Sequence, residues 1–218
     1  WTTDFNAVEV FNGACGGGDN LKSLADWMAL ASLGHRAALS SGSDSHDIGV
    51  PMGFPRNWVK VQASDVAADP LALARAARER AMVVSCGPFV RFTAPASGGG
   101  DLDVDVGGLA TVNEDGEVVF RVRVEAPSWM VLDEVRLLEN GVVVEQIALP
   151  VGDDPVLRFD DLMIGVPAAD AWYAVQVVGS GSLAPVVWDG EPFAMTNPID
   201  VDADRDGAWT PPGLPPVE

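Results

Sequence analysis

The chain has 218 residues, 48% of them hydrophobic, which is enough to bury a core in one large domain or two modest ones and too apolar for a disordered segment. Thirty-two acidic against 13 basic residues leave a formal net charge of −19, a surface that repels phosphate backbones, argues against nucleic acid as a partner and draws cations. No run approaches the roughly 18 apolar residues of a membrane span.

Trp1-Thr2-Thr3-Asp4-Phe5 has no initiator Met, no basic n-region and no long apolar stretch, so it is not a signal peptide. It reads as chain already under way, the expectation being a processed, truncated or excised piece of a parent protein. Lys22 and Lys60 are the only lysines, an arginine bias that fits a high-GC genome or a salt-adapted proteome. The two cysteines, Cys15 and Cys86, form no CxxC pair, which leaves out a zinc ribbon or a thioredoxin motif. Two separate buried thiols are expected, with a disulfide as the alternative if the protein is exported.

In chain order, Phe5 to Phe11 reads as a buried strand and Asn12 to Gly18 as a glycine-rich loop. Asn20 or Ser23 is expected to cap a helix running to Leu33, with Leu21, Leu24, Trp27, Met28 and Ala31 at helical spacing and Gly34 as the stop. Arg36 to Ser40 is a short strand, and Ser41 to Asp47 the loop leaving its C-terminal end. This strand–helix–strand order predicts an α/β region with parallel strands. A loop follows from Val50 to Asn57, then a strand from Trp58 to Val61. A helix from Leu71 to Arg80 starts behind Asp69-Pro70, and a strand spans Ala81 to Ser85.

Beyond about Phe89 the texture changes. Phe120, Val122 and Val124 alternate with Arg121, Arg123 and Glu125, the period of a half-buried strand. Val135 to Leu138 and Val142 to Ile147 flank Asn140-Gly141, a strong hairpin signal. Trp172 to Val178 and Leu183 to Trp188 read as further strands. Short strands without an intervening amphipathic helix predict an antiparallel, Ig-like β-sandwich over residues 89–218, after an α/β region over residues 1–88. Ala96 to Asp101, with Gly98-Gly99-Gly100, is a loop near the boundary.

Asp44 and His46 stand two apart, just past a predicted parallel strand, where α/β folds place their ligands. In an extended loop such residues point to one side, so a carboxylate and an imidazole converge as donors for a divalent ion. Gly42 permits the turn, and Ser43 and Ser45 let backbone approach. The plainer reading is an Asp closing a turn beside a surface His.

Gly42-Ser43-Asp44-Ser45-His46 after a strand resembles the last metal-ligand motif of the PHP (polymerase and histidinol phosphatase) superfamily. Ala7 to Gly13 resembles the preceding strand. Gly53 to Val59, Ser85 to Phe89, Glu139-Asn140-Gly141 and Thr196-Asn197-Pro198-Ile199 resemble segments of its CehA/McbA-like branch. No one motif decides; their order along nearly the whole chain does. The resemblance implies the C-terminal part of a distorted seven-stranded β/α barrel followed by the sandwich. It also implies a cluster of zinc, manganese or iron ions that activates water to hydrolyse an ester or phosphoester, with Asp44 and His46 as ligands. The family pattern needs further ligands, including an early His-x-His, yet this chain has two histidines, His35 and His46. His35, behind Gly34, reads as a helix-end or surface residue. A complete cluster cannot be built, so the missing strands belong to an upstream barrel segment of the parent, or catalysis has been lost; the piece alone is expected to be inactive.

Arg56 is a candidate for holding an anionic substrate group, with a surface salt bridge as the plain alternative. Glu9 and Asn12 read as structural, with a place at the barrel mouth as the other option. In the second part, Asp202-Ala-Asp204-Arg-Asp206-Gly207 matches the opening of a calcium loop, in which alternate carboxylates wrap a hard cation and Gly makes the turn. Its twelfth position is Gly213 rather than Glu, which excludes a helix-flanked EF-hand and leaves a looser calcium loop or a solvated acidic tail. Trp129, Trp172, Trp188 and Trp209 raise a carbohydrate-binding alternative, with Trp172 expected in the core and Trp209 packing the acidic loop. The leading expectation is part of a metal-dependent hydrolase. The alternative is a calcium-stabilised sandwich that binds a saccharide or cell-surface partner, and a purely structural domain is the third reading. The expected setting is extracytoplasmic and bacterial.

Overall fold

The computed structural model describes residues 4–49, 52–96, 103–150, 156–187 and 190–214. Trp1, Val50, Gly98 to Gly100 and Trp188, all used above, lie outside the described residues. The chain opens with the expected strand–helix–strand unit: β1 (Ala7–Asn12), α1 (Gly18–Ser32) and β2 (Ala38–Gly42). β1 and β2 pair in parallel, with a register shift between Glu9 and Phe11 that turns both Val10 and Phe11 inward. Helix α1 buries Leu24, Trp27 and Ala31, while Leu21 is exposed. Neither Asn20 nor Ser23 caps it. Gly17 holds the N-cap position without a side-chain bond, and Asn20 instead donates to the carbonyls of Ala14 and Gly16, tying down the loop before the helix. Gly34 at φ 90° ends the helix as expected, a conformation that side chains with a Cβ resist.

A large sheet follows the order β10 (Val142–Ala148), β9 (Glu134–Glu139), β12 (Ala171–Val178), β13 (Phe193–Thr196), β4 (Met82–Ser85) and β3 (Arg56–Val59). Off this path, β14 (Ile199–Asp202) pairs antiparallel with β12 and parallel with β7 (Leu109–Thr111). A smaller antiparallel sheet is ordered β11 (Leu157–Gly165), β8 (Val118–Glu125), β5 (Phe89–Ala94) and β6 (Val104–Asp105). Helices α2 (Ala63–Ala68) and α3 (Ala72–Arg78) lie between β3 and β4. α2 was not expected; it buries no residue, so it leaves no periodic signal in the sequence.

The two larger sheets face each other as a β-sandwich. Phe120 of β8 packs on Phe92 of β5 and, across the core, on Tyr173 of β12, with ring centroids 4.8 and 5.0 Å away. The alternation in β8 is as the sequence predicts, with Phe120, Val122 and Val124 buried. The Asn140-Gly141 hairpin forms with both residues at positive φ, as a type I′ turn requires. Leu183 to Val187 is not a strand: the N–H groups of Val186 and Val187 both bond to the Leu183 carbonyl, closing a turn around Pro185. β3 and β4 precede residue 88 yet lie in the large sheet beside β13, so sheet and hydrophobic core run across that position.

The α/β unit is sewn onto the sandwich. Asn197 receives the Leu39 N–H on its side-chain oxygen (2.8 Å) and donates to the carbonyls of Leu39 and Met82. Asn57 does the same for both backbone groups of Ser41. Trp172 packs edge-on against Trp27 and donates its indole N–H to Ser32. Asp200, fully buried, is gripped by Arg80 and Arg36, and both arginines also donate to the Gly107 carbonyl. Cys15 and Cys86 are bonded to each other, with Cα atoms 5.9 Å apart. The expectation of two separate thiols is therefore corrected: the loop after β1 and the end of β4 are brought together by the fold although 71 residues separate the cysteines.

Two stability outcomes are expected. Asp200→Asn leaves the buried Arg80 guanidinium without its counter-charge and should lower the urea-unfolding free energy by about 3–5 kcal/mol. Cys15→Ser/Cys86→Ser frees the long loop in the unfolded chain and should cost about 4 kcal/mol in the same assay.

Candidate functional site

The loop leaving the C-terminal end of β2 carries Asp44 and His46. Asp44 takes a left-handed backbone conformation, φ 48°, which turns the chain back on itself. As a result His46 Nδ1 lies 2.7 Å from the Asp44 carbonyl oxygen and 3.5 Å from its carboxylate. A hydrogen bond to the carbonyl places the proton on Nδ1 and leaves the Nε2 lone pair free, an arrangement in which a histidine is oriented to ligate. Both side chains are open to solvent. Ser45 bonds to Ser43 through their hydroxyls, which tightens the same turn.

Glu9 stands on β1 beside this end of the unit. It is exposed, not buried in its apolar strand, and its carboxylate lies against Gly42, where a Cβ would meet it at 3.2 Å. Asn12 donates to it at 2.7 Å. Arg56 begins β3 rather than sitting in a loop, is exposed, and makes no ion pair among the described residues. It immediately precedes Asn57, the residue that clasps Ser41. The turn thus carries a carboxylate–imidazole pair, with a second carboxylate lying against Gly42, and Arg56 adds an exposed guanidinium one residue from the Asn57 clasp. Asp44 and His46 fit a divalent ion chemically but supply two donors where a zinc ion takes about four.

The acidic loop makes a second cluster. Carboxylate oxygens of Asp170, Asp202 and Asp204 lie within 4.8 Å of one another. Asp202 is buried and accepts the N–H groups of Asp206 and Gly207, so the loop folds around it. Gly207 takes φ 89°, the sharp turn expected of it. Asp206 turns away to accept the Ala208 N–H and is not in the converging trio. Its place is taken by Asp170, which precedes β12 and accepts the N–H groups of Ala203 and Thr210. The Asp206 N–H lowers the Asp204 carboxyl, but burial and the neighbouring carboxyls of Asp206, Asp170 and Asp202 outweigh it and raise its pKa. Converging carboxylate oxygens are the donor type that a hard cation takes. Asp200, which continues the alternation in sequence, belongs instead to the arginine grip. Trp172 is buried, and Trp209 spends its N–H on the Ala171 carbonyl, pinning the acidic loop; Trp129 remains exposed.

No family model matches this sequence. No curated protein matches it either. Among solved structures, the crystal structure of an engineered protein is similar at 19% identity, over 90% of this chain and 38% of that one, with a TM-score of 0.28. This chain thus spans well under half of that protein's length, and a likeness so loose carries no argument about fold or function. No helix among the described residues is long and apolar enough to cross a membrane.

Asp170 is the residue that reading the sequence missed. It lies 32 positions before Asp202 on another element, and only the pairing of β12 with β14 brings the two together.

Proposed function

We propose that the chain is the C-terminal part of a PHP-superfamily metal-dependent hydrolase of the CehA/McbA-like branch, acting on an ester or phosphoester. In this reading the β1–α1–β2 unit is the last part of the barrel, and the sandwich supports it. One observation carries the proposal: the loop at the C-terminal end of a parallel strand pair presents Asp44 and His46 side by side, with Nδ1 turned to the Asp44 carbonyl. β1 pairs with no strand other than β2 among the described residues, so its outer edge suits the parallel strand of an upstream barrel segment. A zinc, manganese or iron ion bound there would act as Lewis acid on the substrate oxygen and supply an activated water. Asp44 would hold the ion by its carboxylate and His46 by Nε2, oriented through the Asp44 carbonyl. Arg56 would take an anionic oxygen of the substrate by paired N–H bonds. The disulfide favours an oxidising setting, in keeping with an extracytoplasmic bacterial protein.

Joined to the upstream barrel of its parent, the chain should hydrolyse 4-nitrophenyl acetate or bis(4-nitrophenyl) phosphate in a metal-dependent way. Asp44→Ala and His46→Ala should each reduce that rate by at least about 100-fold and release the transition metal found by elemental analysis. Unchanged activity in both variants would sink the assignment.

A second reading rests on the Asp170–Asp202–Asp204 trio: a sandwich whose acidic loop is stiffened by calcium and which binds a saccharide or cell-surface partner. Saturating calcium, about 100 times Kd, should then stabilise the chain by roughly 3 kcal/mol, reversed by chelator. The gain should vanish in Asp204→Asn and persist in Asp206→Asn. Equal melting temperatures with calcium and with chelator would leave the loop a solvated acidic turn.

A further inference from the structure

The strands at one corner of the sandwich, β3 of the large sheet and β5–β6 of the small one, part to leave an apolar cleft of about 310 Å³. Trp58 and Phe89 form one side, their rings edge to face at 5.4 Å, and Met82, Phe92 and Val106 form its floor. Trp58 is 41% exposed, a large apolar surface left towards solvent. The Lys60–Asp105 ion pair spans the two edges and closes one end. This volume suits a small ligand with an apolar body.

Arg91 stands where that cleft meets a second, polar concavity of about 500 Å³ on the outer face of the small sheet. It lies directly opposite Arg123 on the neighbouring strand, a like-charge pairing that costs stability. Acidic side chains are near, but each is engaged elsewhere. Asp160 is shared by Arg121 and Arg123, Glu125 is bound by Arg123, and Asp105 by Lys60. Asp103 accepts the Thr93 hydroxyl. Arg91 makes no ion pair or hydrogen bond among the described residues. A chain with 19 excess negative charges thus keeps an uncompensated guanidinium, backed by a second arginine, at the mouth of an apolar cleft.

We propose that this corner binds a monocarboxylate with an apolar, ring-bearing body. The body lies against Trp58 and Phe89, and the carboxylate takes paired N–H bonds from Arg91. The acidic rim of Asp103, Asp105, Glu125 and Asp160 selects against ligands with more than one negative charge, because Arg91 is the one arginine of this corner without a counter-charge among the described residues. The site shares no residue with the Asp44–His46 loop and does not depend on that loop holding metal.

The test is calorimetric titration of the chain, in low salt, with 4-phenylbutyrate and with its uncharged analogue 4-phenylbutyramide. The acid should bind saturably and at least about tenfold more tightly than the amide, the advantage of one charge-assisted pair. Arg91→Gln should erase that difference while leaving the melting temperature equal or higher, since it removes a like-charge neighbour of Arg123. Trp58→Ala should weaken acid and amide alike. No binding of the acid, equal binding of acid and amide by the wild type, or full affinity in Arg91→Gln would each overturn the proposal.

Discussion

The structure depends on how strand β2 satisfies its backbone. A buried N–H or carbonyl without a partner costs about 1–3 kcal/mol, and among the described residues β2 has a strand neighbour on its β1 side alone. On the other side Leu39 and Ser41 would be left bare. Two asparagine amides fill that role, Asn197 for Leu39 and Asn57 for Ser41. An amide side chain presents the same donor and acceptor as a peptide group, so each asparagine stands in for one rung of a ladder. Because Asn197 also bonds to Met82, it joins β2 to β4 and through it to the large sheet. The parallel unit is thereby held at a fixed place on the antiparallel body without a continuous sheet.

The other attachments reinforce the same seam by different physics. Trp27 against Trp172 contributes buried apolar area and oriented indole N–H groups. The Arg36–Asp200–Arg80 grip contributes charge, and it is specific because Asp200 is buried where only a cation can match it. The disulfide adds a covalent tie between the loop after β1 and the end of β4. With these links in place, the loop that follows β2 has a rigid base, and the left-handed turn at Asp44 aims its carboxylate and the His46 ring together. The chemistry proposed there depends on this seam, although no seam residue carries a metal-ligand role.

How much of this was legible in the sequence depends on distance along the chain. The β1–α1–β2 unit, the alternation of β8 and the Asn140-Gly141 turn are local patterns, and they read correctly. β11 was missed because the polar pair Asp160-Asp161 interrupts its alternation. β13 and β14 were missed because Asn197-Pro198 divides them into strands of four residues. The nearness of Asp44 and His46 was legible because they stand two apart, although the loop expected to be extended turns back at Asp44. Asp170 was not, since its nearness to Asp202 is a product of strand pairing. Nor was the disulfide, because cysteines 71 residues apart carry no local signal of contact. Asn197 belongs to a segment that the family resemblance picked out, but its role as a backbone substitute required knowing which strand lacked a neighbour.

The Cys15–Cys86 bond has a consequence for integrity as well as for folding. The loop from Asp44 to Gly49, with its exposed Asp44, His46 and Ile48 side chains, lies inside the segment that the bond closes. Cutting the backbone there would yield two polypeptides that remain one molecule as long as the sulfurs stay oxidised. The turn bearing the carboxylate–imidazole pair could thus be severed, and the two pieces kept in register by the asparagine clasps that join β2 to Asn57 and Asn197. Damage at this exposed loop would not separate the two pieces on a denaturing gel until a reductant is added.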